Sequence, residues 1–113
     1  MIELPPSATL QDYQQYIHAL EEQQGWLEVD LVRNCFFIGE EVGELFKAVR
    51  NLEESERASE GGGEDRSVQI QEVGEEIVDV FNYLLAIANR LEIDVEHVFR
   101  EKNARNQTRS WSV

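Results

Sequence analysis

The chain has 113 residues, with 23 Asp or Glu against 10 Lys or Arg, so its formal net charge is −13 on a 42% hydrophobic background. That length holds one core, burying about 65% of the unfolded chain's surface, and the apolar share is too high for a disordered acidic polypeptide. A chain this acidic repels polyphosphate, whose binding depends on Lys and Arg displacing counterions, which argues against nucleic acid as a partner.

A single Cys excludes an internal disulfide framework and any Cys-rich zinc site, and two His make a His-based zinc site improbable. A reducing cytoplasm is the expected compartment. No apolar run approaches the roughly 18 residues of a membrane span. Met1 to Pro6 has neither the basic start nor the apolar centre of a secretory signal. The expectation is therefore a cytoplasmic protein with no membrane partner.

Pro5 and Pro6 close an irregular N-terminus. Thr9 with Asp12 three residues on resembles a capping box, predicting a helix through about Gln24 that Gly25 ends. A second helix is predicted from about Asp30 to Glu54, because Leu31, Cys35, Ile38, Val42, Leu45 and Val49 recur at steps of three and four. Cys35 falls inside that stripe and is expected in the core. Ser55 to Ser67 is polar, carries three consecutive glycines and has no large apolar side chain, so it reads as a flexible linker inside a single domain spanning residues 1–113.

A third helix is predicted over about Val68 to Leu91, its stripe of Val73, Ile77, Val80, Leu84, Ile87 and Leu91 widened by Phe81, Leu85 and Ala88. It should be largely buried. Asp94 is placed to cap a fourth helix to about Asn106, with Val95, Val98 and Phe99 as apolar contacts. No segment shows sustained period-two alternation, so the expected fold is an all-α, four-helix bundle. Too few residues remain to cover the wide face of the third helix, which predicts a homodimer or homotetramer whose subunits complete each other's core.

The charges are unevenly spread. Residues 21–79 hold 17 acids and 5 bases, whereas residues 100–113 carry a net +3. Winding the second helix at roughly 100° per residue sets Glu44 about 60° from Glu41, both bordering the apolar stripe. On the third helix, Asp79, Glu72 and Tyr83 fall within about 60° of Glu76 and border its stripe in the same way. Packing the two stripes together gathers four or five carboxylates at one edge, where repulsion costs several kcal/mol unless cations offset it. Oxygen donors without His or Cys suit Mg²⁺ or Mn²⁺. Glu40 and Glu75 point about 100° away from their neighbours and suit a supporting or surface position. A di-iron centre needs Glu-x-x-His on two helices, which this chain lacks. His18 and His97 are expected to be structural or surface residues.

Gly39 to Val49, GEEVGELFKAV, followed by Glu75 to Ala88, EEIVDVFNYLLAIA, resembles the two halves of the MazG-type all-α nucleoside triphosphate pyrophosphohydrolase signature, Glu-Glu-x-x-Glu and then Glu-x-x-Asp. The resemblance runs from about Asp30 to Trp111 and includes a basic cluster of Lys102, Asn106 and Arg109. It implies Mg²⁺-dependent hydrolysis of a nucleoside triphosphate to its monophosphate and pyrophosphate, in a dimer or tetramer, often to remove unwanted nucleotides. Carried over by position, the metal ligands are Glu41, Glu44, Glu76 and Asp79, with Glu40 in the same motif.

The residues suit that chemistry on their own terms. A triphosphate approaches an acidic site only through intervening cations, which polarise phosphoryl oxygens and acidify an attacking water. Lys102, Asn106 and Arg109, at helical spacing on one face, are candidates for holding phosphate. Glu40, Glu41 or a neighbouring carboxylate is the candidate general base. Asn34 and Asn82 are candidates for hydrogen bonding a nucleobase. Tyr83, Trp26 and Trp111 can stack on a base, although packing is the commoner role of such side chains. Two alternatives share these features: a phosphoribosyl-ATP pyrophosphohydrolase of histidine synthesis, against which the basic cluster argues, and a noncatalytic helical module that binds cations for structure.

Overall fold

The computed structural model describes residues 1–58 and 66–110. Four helices, α1 (Leu10–Gln24), α2 (Leu31–Ala58), α3 (Arg66–Arg90) and α4 (Val95–Asn106), account for all its regular structure, and the described residues contain no strand. The all-α expectation is met. The Gly-rich centre of the expected linker, residues 59–65, lies outside the described residues, as does Trp111. The edges of that linker are corrected: 55–58 continue α2, and Arg66 and Ser67 open α3. Glu, Arg and Ala are good helix formers, and Arg57 adds an ion pair with Glu53 one turn back.

The chain divides into two compact units, one of residues 1–28 and 85–113, the other of residues 29–84. In the first, α1 opens on the expected capping box, the Thr9 and Asp12 side chains each accepting from the other residue's backbone N–H. Gly25 closes α1 in the left-handed region at φ 75°, which a residue without Cβ adopts at little cost. Ile17, Leu85, Ala86 and Ala88 form its apolar centre. A polar lock lies beside them. Gln14, buried, donates to Asn89 Oδ1 at 3.1 Å and to the Ile93 carbonyl at 2.8 Å, and accepts from the Val95 N–H at 2.9 Å. Asn89 donates back to the Gln14 carbonyl. Arg90 donates to buried Glu21 at 2.7 Å and to the Trp26 carbonyl at 3.0 Å. Asp94 caps α4 as expected, accepting from the His97 N–H.

In the second unit α2 begins behind Asp30, whose carboxylate accepts from the Arg33 N–H at 2.9 Å. The two helices run antiparallel. Phe37 meets Tyr83 with ring centroids 5.7 Å apart, Glu41 meets Glu76 and Asp79, and Gln69 donates to the Asn51 carbonyl. Glu56 pairs with Arg66.

This unit buries little apolar surface of its own. Its only buried residues among the described ones are the polar Asn34 and Gln69, while Phe36, Phe46, Ile77, Val78 and Leu84 are all at least half exposed. Two expectations are therefore corrected for a single chain. Cys35 is exposed rather than in the core, and the half of α3 in this unit presents much of its apolar face outward. Periodicity identifies a stripe, but what covers it depends on residues elsewhere.

Candidate functional site

Glu41 on α2 and Glu76 and Asp79 on α3 bring one carboxylate oxygen each to within 4.8 Å of one another. Helical spacing produces this cluster. Glu76 and Asp79, three apart, share a face of α3, and the antiparallel pairing sets Glu41 opposite them. Glu41 and Glu76 are half-buried and Asp79 is exposed.

The electrostatics are those of crowded like charges. Partial burial raises the Glu41 carboxyl above the ordinary carboxylate range, reinforced by the charges of Asp79 and Glu76, a hydrogen bond with Glu76 and the charge of Glu44. Tyr83, one turn beyond Asp79 on α3, is likewise raised, first by burial and then by Glu41, Asp79 and Glu40. Glu76 Oε2 is enclosed and has no hydrogen-bond partner. An enclosed anionic oxygen without a donor is costly, and a hard divalent cation satisfies it together with its neighbours. The donor set fits Mg²⁺ or Mn²⁺: carboxylate oxygens from two rigid helices, with neither His nor Cys among them.

Of the four expected ligands, three converge. Glu44, exposed and one turn along α2, contributes to the field at Glu41 but is outside the group of mutually close oxygens. Glu40 is exposed and acts on Tyr83 through its charge. Glu72 and Glu75 are exposed and also outside the group. Asn82 is half-buried, whereas Asn34 is 3% exposed with Nδ2 enclosed and unpartnered. Phe37, against Tyr83, is a residue the sequence reading passed over. Its signal was its position four residues before Glu41, on the same face of α2.

The basic cluster belongs to the other unit. Lys102 is exposed on α4, and Asn106, half-buried at the helix end, donates to Asn103 Oδ1. Arg109 lies beyond the end of α4, so the one-face arrangement expected of Lys102, Asn106 and Arg109 does not extend to it. The histidines are surface residues as expected, His18 beside Glu22 and His97 beside Glu101. No helix among the described residues is long and apolar enough to cross a membrane.

A family model described as the MazG nucleotide pyrophosphohydrolase domain matches residues 33–113, which include all three converging carboxylates. The chain is 30% identical over 91 residues, 80% of its length and 86% of the relative's, to a Bacillus subtilis (strain 168) protein described as "Uncharacterized protein YvdC". No solved structure matches.

Proposed function

Because this chain belongs to the MazG nucleotide pyrophosphohydrolase family, we propose that it hydrolyses a nucleoside triphosphate to the monophosphate and pyrophosphate with Mg²⁺, Mn²⁺ serving as a substitute, and so clears unwanted nucleotides from the cytoplasmic pool. The observation that carries this reading is the trio of Glu41, Glu76 and Asp79, with its enclosed, unpartnered oxygen on Glu76. Such a cluster is held together at a cost that a bound cation removes.

In the proposed reaction, water adds across the α–β phosphoanhydride. Its oxygen bonds to phosphorus, the bridging bond breaks and pyrophosphate leaves. Glu41, Glu76 and Asp79 hold the cation, with Glu44 on the adjoining turn completing the set. When bound, the ion offsets triphosphate charge and polarises phosphoryl oxygens. Glu40 or Glu41 takes the proton released by the attacking water. Tyr83 and Asn82 border the acids on α3 and are proposed to face the nucleoside. Lys102 and Arg109, by their charge, and Asn106, by its amide donor, are proposed phosphate contacts in line with the family resemblance.

The exposed apolar side chains of the second unit, Phe36, Phe46, Ile77 and Leu84 among them, support a homodimer or homotetramer in which a partner subunit covers them.

The test is incubation with a panel of canonical and modified triphosphates. Pyrophosphate should appear with Mg²⁺ and be absent with EDTA. Folded protein that releases none from any member of the panel would refute the proposal.

A further inference from the structure

Arg33, Phe37 and Glu41 follow one another along α2 at steps of four, so they form one row on the helix, each roughly 6 Å of rise from the next. The Arg33 side chain is exposed, and its guanidinium carbon is over the Phe37 ring, 5.7 Å from the centroid. Phe37 is held in turn by Tyr83, with ring centroids 5.7 Å apart, and Tyr83 feels the charges of Glu41 and Asp79. Guanidinium, aromatic pair and carboxylate trio are thus linked by contacts within one compact unit.

The chain holds 23 acids, yet this cation is not spent on an ion pair. Among the described residues no carboxylate pairs with it, and Asp30, three residues before it, accepts from its backbone N–H instead. Resting on a ring occupies one side of the guanidinium, and the exposure of Arg33 leaves the other side open. Arginine groups presented in this way stack nucleobases, and a ring behind the guanidinium reduces the side-chain freedom lost when a ligand binds. The position agrees with that use. A sugar separates the base of a nucleotide from its phosphates, and the aromatic pair separates the guanidinium from the carboxylates.

We propose that Arg33 is the base-stacking residue of the nucleotide site, its guanidinium, backed by Phe37, carrying the base of the bound nucleoside triphosphate. This rests on the pyrophosphohydrolase reading and deepens it. Stacking addresses the π-face that every base has, so Arg33 contributes affinity for nucleotides without choosing among bases.

The experiment compares the wild type with Arg33→Ala and Arg33→Lys, with Mg²⁺ throughout. It measures KM and kcat on each triphosphate that the wild type hydrolyses, and inhibition of that hydrolysis by the two products. Both variants should raise KM about tenfold for every such substrate with kcat little changed, since stacking is equal in the ground and transition states. The nucleoside monophosphate, which carries the base, should inhibit each variant about tenfold more weakly. Pyrophosphate, which carries none, should inhibit all three proteins equally. Lysine keeps the charge but not the plane, so its failure to restore KM separates stacking from charge. An Arg33–Phe37 contact that only supports the helix would shift Tm and leave both inhibition constants unchanged. Restoration by lysine, weakened pyrophosphate inhibition, unchanged monophosphate inhibition in Arg33→Ala, or a rise in KM confined to one of several bases overturns the role of Arg33 while leaving the family activity standing. A wild type that hydrolyses no triphosphate overturns both.

Discussion

Replacing Glu76 by Gln should make the cation-free protein more stable and its cation-loaded form less so. The three carboxylate oxygens lie within 4.8 Å of one another. At that distance two unit charges repel by roughly 0.9 kcal/mol in bulk water and roughly 3.5 kcal/mol at an effective dielectric of 20. Glu76→Gln removes two such repulsions, those with Glu41 and Asp79. Solvent screens the exposed Asp79, and it also reaches Glu41 and Glu76, which are only half-buried. Both reductions place the gain near the low end, about 2 kcal/mol, or about 6–10 °C in Tm for a domain of this size.

Mg²⁺ should reverse the order. At one hundred times its dissociation constant, a cation stabilises the wild type by about 2.7 kcal/mol, whereas the variant, having lost a ligand, gains far less. Thermal unfolding in EDTA and across a Mg²⁺ titration, followed by circular dichroism, measures both effects, and pyrophosphate release measures the accompanying loss of turnover. A variant melting below the wild type in EDTA, or equal Mg²⁺ increments in the two proteins, would refute the reasoning.

Gln14→Ala should destabilise by about 2–3 kcal/mol, since it strands Asn89 Oδ1, the Ile93 carbonyl and the Val95 N–H; urea unfolding with an unchanged midpoint concentration would contradict the lock described here. Phe46→Asp, at a side chain 69% exposed in one chain, should move subunit dissociation to higher protein concentration in analytical ultracentrifugation, and unaltered association would remove this face from the proposed interface. The pH dependence has two opposite components. The Glu41 carboxyl titrates higher folded than unfolded, so the native state binds more protons, and stability without cation should fall as pH rises from the ordinary carboxylate value to the folded-state value. Asp94 is held low by the His97 N–H and the Gln11 amide. Its contribution should be present above the ordinary Asp value and disappear as pH falls through its lower folded-state value. Unfolding titrations of Glu41→Gln and Asp94→Asn should each flatten one of these slopes.

Local chemistry made much of the fold readable from sequence. Thr9 with Asp12, Gly25, and Asp94 are signals whose partners lie within a turn, and each caps a helix where the sequence indicated. The inner ends of α2 and α3 were less legible because polar, loop-like composition and good helix propensity coincide in Glu-Arg-Ala sequences. Cys35 illustrates a different limit. Its spacing belongs to the apolar stripe, but exposure is set by what packs over the stripe, and one chain leaves it uncovered.

The acidic trio could be anticipated because two-helix periodicity alone brings Glu41, Glu76 and Asp79 to one edge. The enclosure of Glu76 Oε2 and Asn34 Nδ2 could not, since it depends on how closely neighbouring side chains approach. Gln14 and Glu21 flank Ile17 at helical spacing, and so occupy apolar-face positions on α1. That was the available sign of their buried hydrogen bonds.

Diffraction from crystals soaked in Mn²⁺, recorded for its anomalous signal, tests the cation centre most directly. The peak should lie about 2.1–2.2 Å from oxygens of Glu41, Glu76 and Asp79, in an oxygen-only shell. A peak elsewhere, with these three side chains turned apart into solvent, would contradict it.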